Sequence, residues 1–546
     1  MAAMAAMAAM AAMVRDNRAA FNAAHHSLRL SRDIFPGWTD CVGISCMACV
    51  MLGLPAVCNG AEWRIQPYLQ ASETYTDNVG LTPAGQERSD FITEIKPGVS
   101  VGWRSGRSQA HLDYALQGLV YARENGRNTV NHQLSAIGNA ELVPDRLFLD
   151  AAATIAQQNI SLLGPVGLGN TTGTQNLTSV RTYRVSPYIR DRFSEYANYE
   201  MRYQRDGVSA GSDSLSTSDS NKYTVNITSG PAFSRYTWGV RLYREDVKYK
   251  TALDQSTEYA NLDLRYFLTP RFALTATEGY EKYDYLTVGK KPQGNYWTAG
   301  FAWQPSSLTS LSVAGGEHYY GRTYTFDFSH RSRHLLWKAS YNESISTTRS
   351  NFLLPQAAVD VFGYLDALLS ASVSDPVQRT QVVNALITQR GLPRTLLNPI
   401  NYLANQAFLE KRADASVAWN TAKTTIVLNV FRDIRDTNAI GNQSSLLFGV
   451  NDFSNSTNIR QDGSSVLVDW AFAPKTNIDI SIGYSDILFR DSARTDNLKF
   501  IRAGLRHQFR PKITGSLDYR HLERDTNQPN GNYKENAISA GVSIRF

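Results

Sequence analysis

Residue types that could hold a metal, activate a nucleophile or cradle a phosphate all occur in this chain of 546 residues. They are not gathered at the spacings those chemistries need. A metal site draws on clustered histidine, cysteine and carboxylate. The nine histidines are dispersed, apart from His25–His26 near the amino terminus and His330 with His334, which read as turn and interface residues. All four cysteines (Cys41, Cys46, Cys49 and Cys58) fall in the first 61 residues, so the rest of the chain has neither disulfides nor thiolate sites. Gly164, Gly167 and Gly169 make a glycine-rich run without the lysine, strand and helix of a phosphate-binding loop, and the run reads as a flexible loop. Serine, histidine and acidic residues are plentiful but form no hydrolytic motif. No catalytic, cofactor-binding or metal-binding residue is assigned.

Charge, by contrast, is patterned. Arg184, Arg241, Asp263, Arg265, Glu410, Asp414, Asp469, Arg502, Arg506, Asp518 and Arg520 all fall opposite apolar side chains in alternating stretches. Glu200, Arg202 and Arg412 do the same. Such residues either brace a wide wall as interstrand ion pairs or line a water-filled lumen, where arginines favour anionic or sugar solutes. The 28 tyrosines and nine tryptophans suit interfacial girdles and sugar stacking equally. The formal charge of +6 is spread along the chain with acids beside the bases, so no nucleic-acid footprint is present.

The elements that would position these residues are strands. Ile478, Ile480, Ile482 and Tyr484 alternate with Asp479, Ser481 and Gly483, and Val466, Val468, Trp470 and Phe472 alternate with Leu467, Asp469 and Ala471, the period of two of an extended chain. Segments of about ten residues recur in this way from Trp63 to the end. They are joined in turn by tight connections, such as Thr269-Pro270-Arg271, Ala473-Pro474-Lys475 and Arg510-Pro511-Lys512, and by longer polar ones, such as 160–178, 206–220 and 437–457. Short turns at one end and long loops at the other predict a single large antiparallel transmembrane β-barrel over residues 62–546, of about 22 strands within a range of 18–24. An even count puts both ends of the barrel on the periplasmic side. Residues 350–404 break the pattern. Helical spacing near 358–392, with Asp375-Pro376 as a start signal and Gly391 as a stop, predicts a helical pair that caps the mouth, folds inward to narrow the lumen, or forms a surface hairpin whose apolar faces satisfy each other.

Residues 1–61 differ in kind. An Ala/Met run precedes scattered arginines, an apolar run from Cys41 to Leu54, and small residues up to Ala61, the order of a secretory signal. At the other end, Ile538, Ala540, Val542, Ile544 and Phe546 share one face of a last strand that resembles the carboxy-terminal signal of bacterial outer-membrane barrels. It implies outer-membrane lipid and the barrel assembly machinery as partners.

Several phrases extend the resemblance. Thr74-Tyr75-Thr76-Asp77-Asn78-Val79, the stretch from Ser89 to Val99, Leu112-Asp113-Tyr114, Asp375-Pro376-Val377-Gln378-Arg379 and the stretch from Asn405 to Arg412 resemble the outer-membrane β-barrel family associated with PEP-CTERM/exosortase and exopolysaccharide gene clusters of Gram-negative bacteria. The resemblance implies an outer-membrane location, a non-catalytic pore or export conduit, and polysaccharide or export-system components as partners. It carries no site residues over. The alternatives are a barrel hydrolase acting on surface polymer or protein, a closed structural or adhesive barrel, and an energised uptake receptor. The last is disfavoured because strands begin almost at Trp63, leaving no room for a plug domain.

Overall fold

The computed structural model describes residues 61–211, 217–284, 292–353, 407–437 and 458–546, with isolated positions between 365 and 383. The predicted signal segment, Asp375-Pro376 and Gly391 lie outside the described residues.

The strands are β1 (Glu62–Thr76), β2 (Asp90–Arg104), β3 (Ser108–Tyr121), β4 (Thr129–Val143), β5 (Leu147–Asn159), β6 (Leu177–Phe193), β7 (Ala197–Ala210), β8 (Ser218–Ser229), β9 (Tyr236–Tyr249), β10 (Gln255–Thr269) and β11 (Phe272–Asp284). They continue with β12 (Gln293–Ser306), β13 (Thr309–His318), β14 (Gly321–Arg331), β15 (Leu335–Thr347), β16 (Ala407–Asn420), β17 (Thr424–Asp436), β18 (Asn458–Ala473), β19 (Thr476–Phe489), β20 (Arg494–Arg510), β21 (Ile513–Thr526) and β22 (Tyr533–Arg545). Each pairs antiparallel with the next in one 22-stranded sheet. The sheet closes where Tyr68–Thr76 of β1 pairs with Ala537–Arg545 of β22. The chain is therefore a closed 22-stranded antiparallel β-barrel, as the alternation predicted.

Closure gives the alternation an inside and an outside. Trp63, Leu274, Ile480, Ile482, Leu517, Ile538 and Phe546 are exposed on the outer face, and the intervening residues point inward. Trp103, Trp303, Trp337, Trp419 and Trp470 gather on the outer face near the tight turns, as an aromatic girdle requires. Those turns have a shared construction. Pro270-Arg271, Pro474-Lys475 and Pro511-Lys512 each connect two strands directly, and each follows a break in register, at Phe267/Thr269, Ala471/Ala473 and Gln508/Arg510. Proline fixes φ near the value the first turn position needs, and the bulge adds the local twist that lets a two-residue link reverse the chain.

At the opposite end the connections are longer, with one exception. Tyr319-Tyr320 alone joins β13 to β14, aided by Gly321 at φ 118. The rim dips there, and the next seam is incomplete. β14 pairs with β15 only from Phe326↔Tyr341 to Arg331↔Leu336, while β15 stays paired with β16 up to Thr347↔Ala407. Residues 206–210 and 218–220, expected in a loop, belong to β7 and β8 instead. A short helix, α1 (Thr348–Leu353), follows β15. The isolated described positions Leu365, Asp366, Leu369, Gln378, Arg379, Val382 and Val383 also have helical backbone.

Candidate functional site

The connection between β5 and β6, residues 160–176, does not stand away from the rim. It runs into the lumen and reaches the wall made by β18 to β22. Leu162 is buried among Ile459, Ile487 and Phe489, and Leu168 packs beside Leu81, Leu498, Leu522 and Tyr533. Between these apolar anchors the wall addresses the loop backbone directly. Arg494 donates to the carbonyl of Leu163 (3.1 Å), and Arg524 donates to those of Gly164 (2.6 Å) and Leu162 (3.3 Å). The Tyr533 hydroxyl accepts from the Val166 amide (3.0 Å) and donates to the Val166 carbonyl (2.9 Å). Arg520 and Tyr121 hold Thr171 (2.7 and 3.1 Å), and Arg127 donates to the Gly173 carbonyl. Irregular backbone inside a barrel is tolerable only when its polar groups are satisfied this way.

The loop is also braced from within. The Asn176 amide bonds the carbonyls of Ser161 (2.8 Å) and Pro165 (3.0 Å) while its oxygen accepts from the Ser161 amide (2.9 Å). A Cβ on Gly164 would come within 2.7 Å of Asn176, and one on Gly167 would collide with Thr172. The glycine run is thus no loose linker: two of its members make room for the staple, while Gly169 has open space around it.

A second segment enters from the other side. Beyond its last rung with β14, β15 carries α1 inward. Arg349, 3% exposed, donates to Asp206 on β7 and to Ser218 on β8 (2.9 Å), with Glu245 on β9 at 3.5 Å. Phe352 and Leu353 pack against Val180 and Val208. Further along, Asp366 pairs with Arg379 (2.7 Å) and lies within electrostatic reach of the inward-facing Lys338. The described contacts of α1 are with inward-facing residues of β6 to β9; most of the predicted helical pair lies outside the described residues.

The charged residues singled out in the sequence all sit at inward positions, and the structure sorts them. Arg502 and Arg506 share Asp518 (3.4 and 3.1 Å), and Arg506 also pairs with Asp479. Arg520 pairs with Glu535 (2.7 Å), Arg412 with Asp414 (2.6 Å), and Arg435 with Glu410 (3.6 Å). All but Arg412–Asp414, which lies within β16, brace neighbouring strands. Asp263 accepts from Asn261 and Thr277 (2.7 and 2.6 Å), and Arg241 donates to Asn226 (3.0 Å). Asp469 is buried. Arg184 is half-buried on β6 across from Asp206, and Arg265 borders a cavity described below. His330 and His334 bond separate partners, Thr309 (2.8 Å) and the Asn420 carbonyl (3.0 Å).

Sequence reasoning missed Arg494, Arg524, Tyr533 and Tyr121, which hold the loop, and Arg349. It also left the tyrosines undivided. Tyr243 and Tyr259 stack inside the barrel at 4.4 Å, as do Tyr296 and His318 at 4.5 Å and His318 and Tyr320 at 5.0 Å. The His318 ring bonds the buried Glu281 (2.8 Å).

Residues 411–546 match the family model described as "Putative beta-barrel porin 2". No curated protein matches the chain. Among solved structures, the FrpB iron transporter from Neisseria meningitidis is similar over 89% of this chain and 83% of its own, at 10% identity and a TM-score of 0.46. The siderophore receptor PirA from Pseudomonas aeruginosa covers 88% and 80%, at 8% identity and a TM-score of 0.41. The outer membrane protein OpdK from Pseudomonas aeruginosa covers 88% and 99%, at 10% identity and a TM-score of 0.34. The carboxy-terminal strands of this chain, from β16 onward, are thus similar to a porin family, on a barrel whose polar interior is crossed by a loop.

Proposed function

We propose that this chain is an outer-membrane conduit, a porin-like barrel that passes hydrophilic solutes without making or breaking bonds, and that residues 160–176 form its constriction. The observation that carries this reading is the division of one closed wall into an apolar outer face and an ion-paired inner face, with a pinned loop between. No described helix is long and apolar enough to cross a membrane; in hydrocarbon a closed barrel is the alternative that satisfies every backbone amide. The finer reading, service to an exopolysaccharide or PEP-CTERM surface-protein system, is supported by the phrases at 89–99 and 405–412.

The test is conductance of the purified full chain in planar bilayers. Discrete channels are expected, with larger unitary conductance once the Arg524 and Tyr533 anchors are removed together (Arg524→Gln with Tyr533→Phe). A well-folded barrel that passes no current, with or without those anchors, removes the conduit reading. Deleting 375–391 separately tests whether the insertion contributes to narrowing.

A further inference from the structure

A cavity of ≈ 440 Å³ opens on the inner wall at the tight-turn end, between β10 and β15. Its shape follows from side-chain size at consecutive rungs. Ala273 faces Ala302, Ala302 faces Ser312, Ser312 faces Asp327, and Asp327 faces Ser340. One rung nearer the turns, Ser310 faces Ser329, and Ser329 faces Lys338. The wall recedes because each of these positions but Asp327 and Lys338 carries alanine or serine. Arg265, Arg271 and Lys338 border the hollow against one carboxylate, Asp327.

This is the reverse of the arrangement across β16 to β22, where inward arginines are matched to wall carboxylates. Arg265 makes no ion pair among the described residues. Lys338 already has a carboxylate within electrostatic reach, that of Asp366 from the insertion, so the chain itself brings an anion to this wall. Arg265 on β10 and Lys338 on β15 stand five strand spacings apart, roughly 24 Å along the wall at about 4.8 Å per strand. A single small anion cannot meet both.

We propose that this hollow binds an oligomeric, hydroxyl-rich anion, an acidic oligosaccharide that sets its charges on Arg265 and Lys338 and its hydroxyls on the serine floor. The proposal rests on the conduit reading for its purpose, placing the site at the mouth through which a solute from the tight-turn side would enter.

The test is titration of the detergent-solubilised full chain with trigalacturonate, followed by calorimetry, with maltotriose and inorganic phosphate in parallel. Trigalacturonate is expected to bind, more weakly as salt rises, and to lose at least about tenfold in affinity in Arg265→Gln/Lys338→Gln. The charge-preserving pair Arg265→Lys/Lys338→Arg, which guards against a folding defect, is expected to keep most of it. Equal binding of maltotriose, or an unchanged affinity in the glutamine pair, overturns the proposal. Phosphate binding as tightly as trigalacturonate overturns the oligosaccharide part. Because the readout needs no current, a barrel that binds but does not conduct defeats the conduit reading alone, and one that conducts but binds no trigalacturonate defeats this one.

Discussion

Arg524 shows how much one side chain can carry in a wide barrel. It is 4% exposed, pairs with Asp496 at 2.6 Å and still spends two donors on the crossing loop. Truncating it leaves Asp496 with Arg494 alone (3.0 Å), and breaking a buried pair of this kind costs about 3–5 kcal/mol. Arg524→Ala is therefore expected to lower the thermal midpoint of the folded barrel and to free the loop. Adding Asp496→Asn should recover part of the stability but none of the loop attachment, which a denaturation series read beside conductance would separate. At the rim, Arg88 donates to Glu124 at 2.8 Å, joining the β1–β2 and β3–β4 connections. This hydrogen bond holds the Glu124 carboxyl below its usual range. A depressed folded-state value means the link is complete above the ordinary glutamate range, about 4.3, and is lost only as pH falls below that range, through the depressed value. Amide exchange in residues 80–90 should accelerate on acidification and respond little in Glu124→Gln, an effect that salt also weakens because the Arg88 side chain stands in solvent.

Local elements were open to sequence reading because their signals are local. Strand alternation needs only a period of two, and the Pro-Lys and Pro-Arg turns declare themselves in two residues, so the count of 22 and the position of the insertion followed from the chain alone. The crossing loop was not legible, because most of what holds it lies more than 300 residues away, in Arg494, Arg520, Arg524 and Tyr533. One signal was present: Leu162, Leu163, Val166 and Leu168 are too apolar for a stretch left in water, and they required a surface to bury them. The charged inner residues were legible as a set but not as pairs, since register decides which arginine meets which carboxylate. At this scale Gly164→Val is informative. A branched side chain against Asn176 should displace the staple, raise conductance and leave barrel assembly intact, because the loop contributes no rung to the wall.

For the molecule as a whole, closure depends on nine rungs between β1 and β22, from Tyr68↔Arg545 to Thr76↔Ala537, and on Phe546, whose amide bonds the Pro67 carbonyl at 3.0 Å. Removing Phe546 is expected to lower the fraction of chains assembled in the outer membrane, measured by protease-resistant barrel in isolated envelopes, if that last residue is read by the assembly machinery. A barrel that assembles normally without it would limit its role to this one rung.

The half-joined seam between β14 and β15 gives the cylinder a preferred place to part. Elsewhere a rupture must break a full ladder; here the rim-side half is already unfastened, so a tear would start at Phe326 and Tyr341 and run toward the tight turns. Cysteines at Thr325 and Asn342, the next rung the ladder would make, should oxidise far more slowly than a pair at Phe328 and Ala339, which face each other in register. In the outer-membrane setting proposed above, bulky molecules in the bilayer would meet, at that one meridian, a wall that can yield sideways.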